Sequence, residues 1–409
     1  MGHSVNLITL LATGFGLALL FGYIANYFKI PSLVGYLFAG VIIGPFTPTG
    51  YVGDQQLANQ LAEIGVVLLM FGVGLHFSIS DLDRLKKTAL PTAVLNIIII
   101  TSLSVFISVY YWGYSIVGAL IFGLCLSVSS TVVLVRALEK RDLIETDIGK
   151  FSIGRLIVED LIMILVLVFL PVYYSIFLKP EPQVIDRSFT EILIEPLLTI
   201  LKIAVFIFLM LIVGKKILPK ILKAIVKTNS RELFTLAVMS AALTISFFSA
   251  KFFEVSMALG AFFAGMVFKE TEFSSRAKLD TLPVRDLFSV LFFISIGMLF
   301  NPFTVLTSPY KVLIVAILVI VAKLIITTGL CLVYNYPFKT ALIIGCGLAQ
   351  IGEFSFILAS MGLELKLISR NAYNLIIVGA FISIALNPTL FKISTPLIEW
   401  FMKKRRYYY

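Results

Sequence analysis

Residues 150–171 read KFSIGRLIVEDLIMILVLVFLP, a run long enough to cross a bilayer as a helix, with the adjacent acids Glu159 and Asp160 near its middle. About nine residues of the run precede Glu159, and at a rise of 1.5 Å per residue they carry the acids below the headgroups. Carboxylates at that depth face a bundle interior or a wet cavity, where they bind a proton or an ion. The plain alternative, an acidic pair at a helix end, requires a start much closer to Glu159. Arg155 stands one helical turn before Glu159 and is either its structural ion partner or part of the same site.

The rest of the chain fits that environment. Hydrophobic residues make up 59% and charged residues 14%, and the mean hydropathy is +1.01. The reading is an all-α polytopic membrane protein. The net charge of +10 would suggest nucleic acid in a soluble chain. Here the basic residues fall in loops, where they set topology, and no nucleic-acid partner is expected. Cys125, Cys331 and Cys346 lie in apolar runs without ligand spacing, which makes them packing residues. The N-terminal stretch lacks a basic region and a small-residue cleavage site, so it reads as a retained first helix.

Apolar windows at 5–28, 33–47, 57–76, 88–110, 115–138, 150–174, 193–213, 231–250, 255–268, 284–300, 311–334, 338–361 and 371–396 give about thirteen spans. Lys29, Arg84 to Lys87, Arg136 to Lys150, Lys215 to Arg231, Lys269 to Arg285, Lys339 and Lys392 to Arg406 fall on one side of such a topology. Few basic residues fall on the other. This excess puts the C-terminus in the cytoplasm and the N-terminus outside. In the loop after the seventh span, ILPKILKAIVK spaces apolar residues as one helical face opposite lysines, as in a helix lying on the inner membrane surface. The loop 175–192 is polar and proline-containing, with no chemistry expected of it.

Four spans carry unusual polar groups near their midpoints. The fifth reads FGLCLSVSSTVVLVRAL, with Ser129, Ser130 and Thr131 together at its centre. Hydroxyls in succession either bond their own backbone or rescue groups freed by a helix break. The twelfth reads TALIIGCGLAQIGEFSFILA, where glycines bracket Gln350 and loosen the helix. GCGLAQIG is a poor dinucleotide loop, because the third glycine is displaced and no strand precedes it. In the eleventh, Lys323 lies about twelve residues from either end, too deep to snorkel, so it needs a partner such as Glu159 or Asp160. Polar groups at one depth on broken helices are expected of a substrate site at the bilayer midplane. Setting the first span aside leaves two sets of six, as in an inverted repeat. The breaks then fall one helix out of register between the halves.

These residues resemble the Kef-type, YbaL-like branch of the monovalent cation:proton antiporter family. The likeness runs through PSLVGYLFAGVIIGP at 31–45, EIGVVLLMFGVGL at 63–75, LSVSSTVVLVRALEKRDL at 126–143, MALGAFFAGMVF at 257–268, LFFISIGMLF at 291–300 and LAQIGEFSFILA at 348–359. The resemblance implies an inverted-repeat antiporter fold in which two broken helices cross, in a homodimer within a bacterial inner membrane. It implies scaffold and dimer helices at 5–76 and 231–300, mobile core helices at 88–174 and 311–396, and a linker at 193–230. It implies Asp160 as the carboxylate for a monovalent cation and for the proton, with Glu159, Ser129, Ser130, Thr131 and Gln350 around it and Lys323 and Arg155 as charge partners. The transported species would be a proton and potassium or sodium, with no cofactor in this chain and membrane lipid around it.

The chain departs from the family pattern in three places. Glutathione-gated members carry Gln where this chain has Glu159. His76 stands where many members have an acid, as either a plain loop residue or a pH sensor. Family members usually continue into a cytoplasmic nucleotide-binding regulatory domain, and this sequence stops at KKRRYYY. The competing class is a ligand-gated potassium efflux channel, which calls for a carbonyl filter of the TVGYG kind. An enzyme is not expected, since no nucleophile–base pair or ligand cluster stands out.

Overall fold

The structure, a computed structural model, describes residues 2–47, 54–76, 89–139, 141–143, 146–174, 198, 201–202, 204–253 and 256–406. Among them all regular structure is helical. The chain forms α1 (Gly2–Tyr27), α2 (Ser32–Ile43), α3 (Gln55–His76), α4 (Ala89–Trp112), α5 (Ile116–Ser127), α6 (Thr131–Glu139) and α7 (Asp147–Tyr173). It continues with α8 (Lys215–Val226), α9 (Arg231–Phe253), α10 (Met257–Lys269), α11 (Ser274–Leu299), α12 (Pro309–Val333), α13 (Phe338–Leu348), α14 (Glu353–Glu364) and α15 (Arg370–Arg406). Among the described residues seven helices are long and apolar enough to cross a membrane, and α13 with α14, bent by 40° at their break, make an eighth if the pair is one span. Every expected window except 193–213 holds a described helix or helix pair. That window is only partly described, so the described helices do not make up the expected thirteen. Loop 175–192 lies outside the described residues, as does the side chain of His76, the last residue of α3.

Local chemistry explains where the helices begin and end. Ser115 caps α5 by accepting the Gly118 N–H at 3.1 Å, and Ser256 caps α10 by accepting that of Leu259 at 3.3 Å. Pro31 and Pro337 precede α2 and α13, where a missing N–H is no loss. Two breaks lack that simple punctuation. Val128 and Gly352 are extended, and they separate α5 from α6 and α13 from α14. In α12 a π-helical turn, Ile317–Ala322, runs directly into Lys323, a distortion often found beside functional residues.

Packing divides the chain into two units. The first comprises residues 1–55, 82–163 and 293–409. Its core includes Ala89, Leu134, Leu138, Phe151, Leu156, Cys331, Ala341, Ile344 and Leu348, which knit α4, α6, α7, α12 and α13 together. In the same unit Gly40 and Gly297 let α2 and the end of α11 meet backbone to backbone: a Cβ on Gly40 would strike the Ile294 carbonyl, and one on Gly297 that of Leu37. The second unit comprises residues 56–81 and 164–292. There Gly74 and Gly265 bring α3 against α10 in the same way, beside the edge-to-face rings of Phe71 and Phe268 at 5.4 Å. α8 is the lysine-faced helix expected after the seventh span: Leu218 and Leu222 are buried while Lys216, Lys220 and Lys223 are exposed. The three cysteines are free and buried, as packing residues are.

Candidate ion-binding site

The two breaks meet within the first unit. The N–H of Gly352 donates to the carbonyl of Val128 at 3.1 Å, and the Ser129 hydroxyl donates to the carbonyl of Leu348 at 3.0 Å. Gln350 spans the crossing with its amide. Its Oε1 accepts the Ser130 N–H at 3.0 Å, and its Nε2 donates to the Ser130 carbonyl at 3.1 Å and that of Gly347 at 3.3 Å. Two α15 side chains finish the work: Ser383 Oγ accepts the Ile351 N–H at 3.2 Å, and Asn387 Nδ2 donates to the Cys346 carbonyl at 2.8 Å. A break inside a membrane bundle frees backbone groups that water cannot reach, and these bonds satisfy them.

Gly352 makes the crossing tight. A Cβ there would lie 2.6 Å from the Ser129 carbonyl oxygen and 2.8 Å from its carbon, both backbone atoms that cannot swing away. Gly352→Ala is therefore expected to separate the breaks and to lower transport by more than about tenfold, the equivalent of 1.4 kcal/mol. Gly16→Ala, which meets nothing within 4 Å, is the control expected to match the parent. Equal transport rates in the two variants would show that the crossing does not need this approach.

The charges gather around these breaks. Glu159, fully buried, accepts the Ser129 N–H at 3.1 Å through Oε2 and the Arg155 Nε–H at 3.2 Å through Oε1. Arg155, also fully buried, donates from Nη2 to Thr327 Oγ1 at 3.3 Å, and Thr327 donates to Asn96 Oδ1 at 3.1 Å. Lys323 is buried too, but its ammonium donates to the Gln350 carbonyl at 2.9 Å. Its direct contact is thus a carbonyl, whereas the sequence suggested a carboxylate. The nearby Glu159 already has Arg155, and the unwound segment after α13 presents carbonyls where the helix dipole is negative.

Asp160 differs from its neighbour. One oxygen, Oδ2, accepts the Thr131 hydroxyl at 3.0 Å, while the other, Oδ1, is buried without a hydrogen-bond partner. Thr131 is the first residue of α6, so the carboxyl sits at the positive end of a half-helix. Adjacent in sequence, the two acids fall on different faces of α7: one has a hydrogen bond on each oxygen and the other keeps an oxygen open.

Of the residues singled out from sequence, Ser129, Ser130, Thr131, Arg155, Glu159, Asp160, Lys323 and Gln350 come together. The placements of Asn96, Thr327, Ser383, Asn387 and Glu353 went unread. Thr327 follows Lys323 at i+4, and Ser383 and Asn387 are four apart in an apolar run, spacings that put polar groups on one helix face. Glu353 opens α14, is half-buried, and is close enough for its charge to act on Asp160.

The family model for sodium/hydrogen exchanger, transmembrane, matches residues 15–394. The Escherichia coli protein YbaL, named for cation/proton antiport, is 47% identical over 404 residues, covering 99% of this chain and 70% of that one. K(+) efflux antiporter 4 of Arabidopsis thaliana is 30% identical over 383 residues, covering 91% of this chain and 62% of that one. Among solved structures, the sodium proton antiporter MjNhaP1 from Methanocaldococcus jannaschii at pH 8 has the same fold, with a TM-score of 0.67 over 94% of this chain and 95% of its own at 19% identity.

Proposed function

The chain belongs to the sodium/hydrogen exchanger transmembrane family of cation/proton antiporters, and we propose from that premise that it exchanges potassium for protons by alternating access at Asp160. One observation carries the assignment to this residue: Asp160 Oδ1 is buried and unpartnered, while both oxygens of Glu159 are taken. A dehydrated monovalent cation and a proton compete for the same oxygen, and that exclusion couples their movements. Thr131 holds the second oxygen, and Ser129, Ser130 and Gln350 hold the breaks together around it. Glu159 has a hydrogen bond on each oxygen, from Arg155 and from the Ser129 N–H, which leaves Asp160 as the one exchanging carboxylate and sets one proton per cation. Potassium is favoured because relatives such as K(+) efflux antiporter 4 carry that name. Sodium is the alternative, on the name of MjNhaP1.

The same reading makes the protein a homodimer in a bacterial inner membrane, N-terminus outside and C-terminus cytoplasmic, as the loop charges support. Helices at 5–76 and 231–300 are the scaffold, those at 88–174 and 311–396 the moving core, and 193–230 the connection. Regulation by a cytoplasmic nucleotide-binding domain fits the greater length of YbaL, of which this chain covers 70%.

The test is reconstitution in liposomes with a pH-sensitive dye and an imposed proton gradient, to which potassium, sodium or choline is added. Potassium alone is expected to dissipate the gradient. Equal rates with sodium would overturn the choice of ion but leave the mechanism. Cation current without proton movement would put the efflux channel in its place.

A further inference from the structure

The antiport reading leaves a charge unaccounted for. Arg155 and Glu159 cancel within one buried pair. Asp160 is neutral when it holds a proton, and neutral again when it holds a monovalent cation. Lys323 remains, fully buried, with an uncharged carbonyl as its hydrogen-bond partner. With Lys323 as an ammonium, these groups alone leave the site positively charged in both loaded forms. Such a site repels the cation it must bind, and crossing the hydrocarbon with net charge is costly.

The crossing supplies the missing anion. Gly352 is bonded to Val128 and lies against the Ser129 carbonyl, and the next residue in the chain is Glu353. On the facing segment Thr131, two residues after Ser129, holds Asp160. Both half-helices thus begin at the crossing, α6 at the hydroxyl that fixes Asp160 and α14 at a second carboxylate whose charge reaches it. Glu353 lies in the first turn of α14, where the backbone N–H groups favour an anion. It is half-buried.

We propose that Glu353 is the fixed counter-charge of the cation site, offsetting Lys323 and drawing the monovalent cation onto Asp160. With Glu353 ionised throughout, the site is neutral when loaded with a cation and neutral when loaded with a proton. The empty site carries one negative charge. It crosses least readily, which protects coupling, and each completed exchange is electroneutral. This inference rests on the antiport reading, with Asp160 as the exchanging carboxylate.

The test measures the potassium KM in the liposome assay for the parent and for Glu353→Gln, Glu353→Asp and the double variant Glu353→Gln/Lys323→Gln, beside Asp160→Asn. Glu353→Gln is expected to raise the KM by about tenfold or more, since it removes one charge from beside a cation in a poorly screened site. Glu353→Asp keeps the charge and should stay within about threefold of the parent. The double variant restores neutrality and is expected to bring the KM back toward the parent value. In detergent, the potassium needed to raise the thermal midpoint should shift with the KM, because a ligand stabilises the state that binds it. A parental KM in Glu353→Gln overturns the proposal. If that variant is not recovered folded, the double variant decides: a near-parental KM supports the counter-charge, and a tenfold rise despite restored neutrality overturns it. Exchange surviving in Asp160→Asn would overturn the underlying reading, whatever Glu353 does.

Discussion

Replacing Asp160 with Asn is expected to reduce cation-driven proton movement to the level of protein-free liposomes. The substitution is nearly isosteric. Its side-chain oxygen still accepts the Thr131 hydroxyl, so the contact at the start of α6 survives. What is lost is the ionisable oxygen at Oδ1, the position with no hydrogen-bond partner of its own. An amide neither carries a proton across nor neutralises a dehydrated cation. The variant should therefore fold with a thermal midpoint near that of the parent and transport nothing. Neutral replacement of Glu159 is the informative comparison, because each oxygen of that carboxylate already has a partner, Arg155 or the Ser129 N–H. Glu159→Gln is expected to lose stability before it loses coupling. Cation-dependent proton movement that persists in Asp160→Asn and vanishes in a folded Glu159→Gln would reverse the roles of the two acids.

The second large effect is on stability. Arg155 and Glu159 are both fully buried, 3.2 Å apart. Arg155→Met leaves a carboxylate in a low-dielectric interior with one backbone N–H for company, and breaking a buried pair from one side costs about 3–5 kcal/mol. Thr327 loses its donor in the same change. The expected result is a sharp fall in detergent-solubilised, monodisperse protein and in its thermal midpoint. Arg155→Met/Glu159→Gln removes both charges and should recover much of the loss, since a buried pair replaced as a unit is often close to neutral. A single variant as stable as the parent, or a double variant worse than the single, would mean that the pair does not anchor α7.

The membrane class, most helix positions and the choice of α7 as the central helix followed from sequence, because each rests on a property that local composition carries. Burial in lipid demands long apolar runs. An acid in the middle of one is costly enough to mark itself. The breaks were legible for a related reason: serines in succession in one span and glycines around Gln350 in another are poor choices for uninterrupted helix, and both spans break at those residues.

Which acid is open and which is closed was not legible. Glu159 and Asp160 are neighbours of the same charge in one helix; the i+4 spacing from Arg155 offers Glu159 a partner, but nothing within residues 150–171 shows which oxygen stays open. The difference arises because successive residues of a helix point about 100° apart, so one meets Arg155 and the Ser129 N–H while the other meets Thr131. The partner of Lys323 was hidden for a similar reason. A carbonyl is present at every residue, and only the unwinding after α13 aims that of Gln350 at the ammonium. Glu353 drew no reading from sequence, because only the crossing brings its charge within reach of Asp160. Composition and spacing determined that this protein lives in a membrane and holds charge at its centre. The division of that charge into an anchored pair, an open carboxylate and an opposing acid was decided by contacts between segments far apart in the chain, whose geometry no local pattern encodes.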